Sequence, residues 1–442
     1  MTIKKEIKGC LLAFLVTTLG WAQKIDTQKL DLYFKTLETH NKFMGSLAIS
    51  QNGQPIYAKS VGYADVDHNR KANENTKYRI GSISKTFTSV LLFKAIENKK
   101  LSLNQTIEKF FPTIANANKI TISQLLNHHS GIHDFTRDDD YEDWNTKPMT
   151  AREMVALIAK GGSDFEPGSK GKYCNSNYVL LTYILEKTFK KPYSELVQTH
   201  IAKPLGLKNT FFGGKINTEN NESKSYRFSE TWKVEPETDM SIPMGAGGMV
   251  STPGDLVLFS EGLFKGKLLK KESLDAMKTI EDNYGRGLFK MPFDDKIGYG
   301  HAGNIDGFNG TFTYFRDGDI SFAMTSNGSN YSGNAIALTI LSAIFNQPYD
   351  IPEFTSYSVS PEVLAQYLGT YSSAEIPVKM TIATENGVLQ LQTPGQPAIA
   401  LEASAKDQFR FDKAGLMLEF NPTEKSMVLK QKGGNFTFKK EE

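Results

Sequence analysis

Along residues 43–65, FMGSLAISQNGQPIYAKSVGYAD, apolar and polar positions alternate on both sides of Asn52-Gly53. That period of two, broken by a dipeptide suited to a tight turn, predicts a β-hairpin. A short helix is expected before it, over residues 27–43. After it, SKTFTSVLLFKAIENKKLSL (84–103) carries an apolar run from Phe87 to Ile96 that predicts a buried helix. Residues 101 to about 240 read as helices and loops. ITISQLLNHHSG (120–131) and NSNYVLLTYILEKTFKKPYSELVQTHI (175–201) have helical spacing, and EPGSKG and KPLGLKNT punctuate them as turns. From Gly245 the texture changes. GAGGMVSTPGDLVLFSEGL predicts a glycine-rich turn and a helix starting at Thr252-Pro253. GFNGTFTYFRDGDISFAMTSN predicts a second hairpin about Asp317-Gly318, and NAIALTILSAIF an apolar helix.

Strands therefore open and close this stretch while helices fill its middle. The economical packing is an α+β fold: one antiparallel sheet built from both ends, flanked by helices, with an inserted helical lobe. A cleft between sheet and lobe is the expected ligand site. Beyond QPYDIPEFTSYSVSP the pattern becomes short alternating strands, VKMTIATENGVLQLQ through SMVLKQKGGNFTFKK. These predict a small all-β unit, a sandwich or barrel. The expected division is a segment at 1–22, a main domain at 23–350 and the β unit at 355–442.

Residues 1–22 have the pattern of a secretory signal: Lys4, Lys5 and Lys8, then the apolar stretch CLLAFLVTTLGWA, then Gly20 and Ala22 at peptidase spacing. The stretch is short for a bilayer span, so export is expected, with no membrane span after cleavage. The chain has 442 residues, 51 basic and 49 acidic. Removing residues 1–22 takes three Lys and one Glu and leaves 48 of each, a formally neutral chain. No nucleic acid or anionic membrane is implied as a partner. Cys174 is then the sole cysteine, so no internal disulfide is possible.

Two serine-x-x-lysine patterns occur, fewer than the roughly three expected by chance. Ser169 and Lys172 lie in a polar turn. Ser82 and Lys85 stand after Gly81 at the start of a buried helix, one turn apart on a shared face. Ser82 there could simply cap the helix. It could equally be a nucleophile, with Lys85, desolvated, losing its proton more readily and taking the serine's. Tyr173-Cys174-Asn175 is the only tyrosine-x-asparagine, at a loop-to-helix junction. A phenol near a lysine ammonium would ionise more easily and serve as a base, and Asn175 could bond both a substrate amide and Lys85. In GHAGNIDGFNGTF the glycines free the edge of a strand, which could pair with an extended substrate and offer an amide to an oxyanion. His301 adds a partly charged donor. His129 and His133 have metal-like spacing, but Ser130-Gly131 breaks the helix between them, and a structural role is expected for this histidine cluster with His128.

Ser82-x-x-Lys85, Tyr173-x-Asn175 and His301-x-Gly303, in that order, resemble the serine β-lactamase and penicillin-binding protein superfamily, in its class C β-lactamase, D-aminopeptidase and esterase branch. GYAD, ITISQLLNHHSG, NYVLLTYILEK and GAGGMVST look like the same family, and the likeness runs over roughly residues 40 to 345. The resemblance implies that Ser82 is acylated, that Lys85 and Tyr173 share the general-base work, and that Asn175, His301 and Gly303 contact substrate. The amides of Ser82 and Asn304 would form the oxyanion hole. It implies no metal and no cofactor. Where many antibiotic-hydrolysing relatives carry lysine and a hydroxyl residue, this chain has His301-Ala302, which weakens recognition of a substrate carboxylate. The expected function is an exported, periplasmic or secreted bacterial serine hydrolase acting through an acyl-enzyme on small D-amino-acid peptides, amides or esters. A class C-like β-lactamase or DD-carboxypeptidase is the alternative enzyme, and a sensor or binding protein the non-catalytic one. The tail resembles the small β-barrels appended to relatives of this family. Covering the cleft, contacting the cell wall, pairing chains and simply stabilising the protein are the alternative roles for it.

Overall fold

The computed structural model describes residues 25–431 and 434–441; the expected signal segment lies outside them. The first helix, Thr27–Thr39, starts where the Asp26 carboxylate accepts from the Lys29 amide at 3.0 Å. Its buried residues Leu30, Tyr33, Phe34 and Leu37 recur at helical spacing. Strands Phe43–Gln51 and Gln54–Val61 follow, turned at Asn52 and Gly53 with φ of 53° and 76°. Both are left-handed, as a two-residue hairpin turn requires.

The main sheet is antiparallel and six-stranded, in the order Phe289–Phe293, Lys296–Ile305, Phe308–Phe315, Ile320–Ser329, Phe43–Gln51, Gln54–Val61. Phe43–Gln51 pairs with Ile320–Ser329, so the two ends of the region close one sheet. Helices Ser84–Glu97 and Asn175–Phe189 belong to the core on one face, and Pro253–Phe264 packs directly on the central strands. Phe87 stacks on Phe259 there, ring centroids 3.9 Å apart; burying each ring stabilises the fold by about 1.5–3 kcal/mol. Helices Thr27–Thr39 and Gly333–Ile344 cover the other face. The helical lobe, including Ile122–Leu126, Ala151–Gly161 and Asn175–Phe189, is inserted between the hairpin and the later strands.

The strand carrying His301 is an edge only in part. Phe289–Phe293, which the sequence pattern did not reveal, pairs with it as far as Gly300. Its own residues alternate intermediate and exposed, so no apolar stripe marks it. The free edge begins at His301.

The C-terminal residues form a nine-stranded antiparallel sheet with Ile399–Ala400 and Glu402–Ala405 at its two ends. Those end strands are separated only by Leu401, so the sheet curls into a nearly closed barrel. Its interior is apolar, built from Tyr371, Leu391, Phe409, Leu418, Met427, Phe438 and their neighbours. It meets the rest of the chain through Lys42 and Asp412, 2.6 Å apart and both largely buried. Arg410 donates to the Glu353 and Thr355 carbonyls of the connecting segment. No helix among the described residues is long and apolar enough to cross a membrane.

Candidate active site

Ser82 sits in a single 3₁₀ turn, Gly81–Ile83, that feeds the helix Ser84–Glu97. It does not cap that helix. Ser84 locks the turn instead: its hydroxyl donates to the Gly81 carbonyl at 2.6 Å and accepts from the Met249 amide at 3.0 Å. The turn lies against the free edge of Lys296–Ile305, and two glycines permit that approach. Gly81 has φ +49°, and a Cβ there would lie 2.7 Å from the Asn304 nitrogen. A Cβ on Gly303 would lie 2.0 Å from the Ile80 oxygen and 2.9 Å from the Ser82 nitrogen. The backbone at Ser82 and the backbone at Asn304 therefore approach each other closely.

Lys85 is fully buried. Its Nζ lies 2.9 Å from Ser82 Oγ, 2.8 Å from Asn175 Oδ1 and 2.7 Å from the Ala246 carbonyl oxygen. Burial pulls its amine down to about 7, against an opposing pull from the Asp134 carboxylate. A neutral amine has two N–H donors and one lone pair. Ala246 O can only accept, and Asn175 Oδ1 is turned to the lysine because its Nδ2 donates to Asp134 (3.2 Å) and Thr136 (3.1 Å). As an ammonium Lys85 donates to all three oxygens; once it is neutral, Asn175 and Ala246 take both donors and the lone pair faces the Ser82 hydroxyl.

Tyr173 lies with its ring face toward Lys85, 4.9 Å from Nζ to the ring centroid. Burial pushes its phenol well above the ordinary range, and the Ser82 hydroxyl, its hydrogen-bonding neighbour, pulls the other way more weakly. The site thus eases deprotonation of the amine and not of the phenol, the reverse of the balance expected from a phenol beside a full ammonium charge. Cys174 is a buried filler: its Sγ lies 3.3 Å from the Ile132 oxygen, and burial raises its thiol to about 12.

His301 is not among the residues of the cleft. The pleat turns Ala302 and Asn304 outward and His301 and Gly303 inward. The imidazole is buried, with its ring edge-on to Phe289 at 4.7 Å. Burial and the nearby Lys85 pull it down to about 3, so it is uncharged at neutral pH. His129 and His133 also turn apart: His129 Nε2 faces Asp282 at 3.1 Å, and His133 lies between Asp138 and Asp164 at 2.8 Å each.

A cleft of about 460 Å³ opens over Ser82, Asn175 and Asn304. Its walls come from the loops at 135–145 and 235–247 and from Ile305 and Asp306. Among the described residues no Lys, Arg or His lines it, whereas Glu142, Glu235 and Asp306 do. Asp306 is held by buried Arg79 at 2.9 Å. Among the described residues, none beyond Asp306 lines the cleft, so no described part of the C-terminal barrel covers it. Sequence reasoning missed the Ala246 carbonyl and the Asp134–Thr136 pair, because contacts of this kind carry no residue-spacing signal.

A buried lysine on a serine at the foot of a helix, with a tyrosine and an asparagine from the lobe and two glycines of a strand edge, defines a serine hydrolase of the β-lactamase type. The sequence profile of the Beta-lactamase family matches residues 34–344, and the chain belongs to that family. Penicillin-binding protein 4* of Bacillus subtilis (strain 168) is 25% identical over 439 residues, 91% of this chain and 96% of the relative. Teichoic acid D-alanine hydrolase of Staphylococcus aureus is 27% identical over 286 residues, 63% of this chain and 69% of the relative. Among solved structures, D-amino acid amidase from Ochrobactrum anthropi SV3 complexed with L-phenylalanine amide superposes with a TM-score of 0.63 at 26% identity, over 72% of this chain and 99% of that one.

Proposed function

We propose that this chain is an exported hydrolase that forms an acyl-enzyme on Ser82 and cleaves small D-amino-acid amides, peptides or esters. The observation that carries the reading is the buried Lys85 amine, 2.9 Å from Ser82 Oγ, with Asn175 Oδ1 and the Ala246 carbonyl as acceptors for both N–H groups of its neutral form. Lys85 takes the Ser82 proton as Oγ bonds to the substrate carbonyl carbon. The carbonyl oxygen gains charge between the amides of Ser82 and Asn304. The Tyr173 phenol gives its proton to the departing nitrogen or oxygen and regains one from Lys85. The C–N or C–O bond breaks, and water then adds to the acyl carbon and releases Ser82 with the acid. Asn175 orients the substrate amide.

The cleft favours one substrate class. A penicillin or a D-alanyl-D-alanine end presents a carboxylate, and no cationic side chain among the described residues lines this cleft to receive it. An α-ammonium meets carboxylates instead. The amidase and D-alanine hydrolase relatives, by their names, support the D-amino-acid choice. Export rests on residues 1–22.

The test is turnover of D-alanine p-nitroanilide and D-alanine methyl ester against nitrocefin, with Ser82→Ala as control. D-alanine derivatives are expected to turn over faster than nitrocefin, and Ser82→Ala to lose at least about a thousandfold. Full activity in Ser82→Ala would refute the mechanism, and preference for nitrocefin would refute the substrate class.

A further inference from the structure

The segment from Leu126 to Phe135 acts as a mould for the segment from Lys172 to Asn177. Ser130 Oγ donates to Asn177 Oδ1 at 2.6 Å, Ser176 Oγ to the His133 carbonyl at 2.6 Å, and Tyr178 OH to the Leu126 carbonyl at 2.8 Å. One residue of the mould grips three consecutive residues of the other segment. The His128 carbonyl accepts from the Lys172 amide at 2.9 Å. Its ring stacks on the Tyr173 ring, centroids 4.4 Å apart and planes 30° from parallel. Its Nδ1 accepts from the Cys174 amide at 3.1 Å.

We propose that His128 is a positioning residue for the Tyr173 phenol, its imidazole plane fixing the phenol against Ser82; this rests on the role proposed above for Tyr173. A backbone N–H can only donate, so His128 Nδ1 carries no proton and the neutral ring is protonated on Nε2. That contact fixes the plane of the imidazole, and the plane fixes the tyrosine ring lying on it. Tyr284, edge-on 5.2 Å from the imidazole, and Phe289, 6.5 Å from the Tyr173 ring, pack around the stack. A phenylalanine would supply a ring without the acceptor, and an asparagine the acceptor without the ring. Histidine supplies both. The backbone at position 128 is left-handed, φ +63°, a conformation asparagine tolerates.

Burial above all disfavours a charge on this imidazole, and the nearby Lys85, His301 and His129 add to that. Its task is thus geometric and not proton transfer. Misplacing a reacting group by about 1 Å costs about a hundredfold in rate.

The experiment is a cycle of His128→Asn, Tyr173→Phe and the double variant, assayed on D-alanine methyl ester. His128→Asn is expected to fold, to lose about 10- to 100-fold in kcat, to keep KM within about twofold and to leave the midpoint of the pH–rate profile unmoved. On the Tyr173→Phe background the same change should cost less than about twofold, because the group it positions is gone. An undiminished kcat in His128→Asn, or an equal loss on both backgrounds, would overturn the proposal. Full activity in Tyr173→Phe would instead overturn the role of the tyrosine itself. If asparagine impairs folding, His128→Gln repeats the test with the acceptor retained on a longer side chain.

Discussion

The hydrolase region and the C-terminal barrel are buried in opposite ways. The barrel interior is apolar, and among the described residues Arg410 is the sole buried polar side chain beyond residue 345. The sheet-and-lobe region buries Lys85, His128, His129, His301, Asp134 and Asn177 beside its hydrophobic core. Polar groups are costly to bury unless they are paired: Lys85 contacts Ser82 and Asn175, Asn175 donates to Asp134, Asn177 accepts from Ser130 and His128 from the Cys174 amide. The contrast teaches where chemistry resides: a site able to hold a neutral lysine is built from desolvation, which the same chain's barrel avoids. The buried charged and polar groups of the site and the apolar interior of the barrel thus lie in different regions of the chain.

Three experiments sharpen or break that division. The largest effect is expected from Lys85→Met. Turnover should fall by about a thousandfold or more, while thermal or urea unfolding shows a gain of about 1–2 kcal/mol near pH 7. The sign follows from linkage. The lysine's folded-state value of about 7 lies below its ordinary value of 10.5, so the unfolded chain binds more protons between those limits. The destabilisation by Lys85 is full below pH 7 and fades toward pH 10.5, and the gain in the variant should shrink over that window. A variant less stable than the parent at pH 7 would show that the site is not strained by its lysine.

Leu418→Ala comes next. Leu418 is fully buried in the barrel, and its truncation should cost about 2–5 kcal/mol in urea unfolding with kcat unchanged for the folded protein. A parallel loss of kcat would couple the two regions. The smallest effect concerns pH. The value of kcat/KM should rise about tenfold per unit below pH 7 and level off above it, as the Lys85 amine loses its proton. Asp412→Asn, which removes the partner of Lys42 at the junction, should leave that midpoint in place.

Local pattern already held the elements. Asn52-Gly53 and Asp317-Gly318 mark the turns of two hairpins; Asn52, Gly53, Gly318 and Asp319 hold the left-handed backbone that selects such residues. The run from Phe87 to Ile96 marks a buried helix because every side of it is apolar. Ser82, Lys85, Tyr173 and Asn175 could be picked out by type, spacing and order along the chain. Strand Phe289–Phe293 could not, because a half-exposed edge strand carries no clean alternation.

What the sequence by itself determined is the α+β class, the turns, and the set of side chains with hydrolytic chemistry. Tertiary structure alone decided the protonation balance between Lys85 and Tyr173, the inward turn of His301, the uncovered cleft and the grip of His128 on residues 172–174. Spacing along a chain specifies periodicity and turns. Desolvation and hydrogen-bond partners depend on which distant segments fold against one another, and no local pattern encodes that.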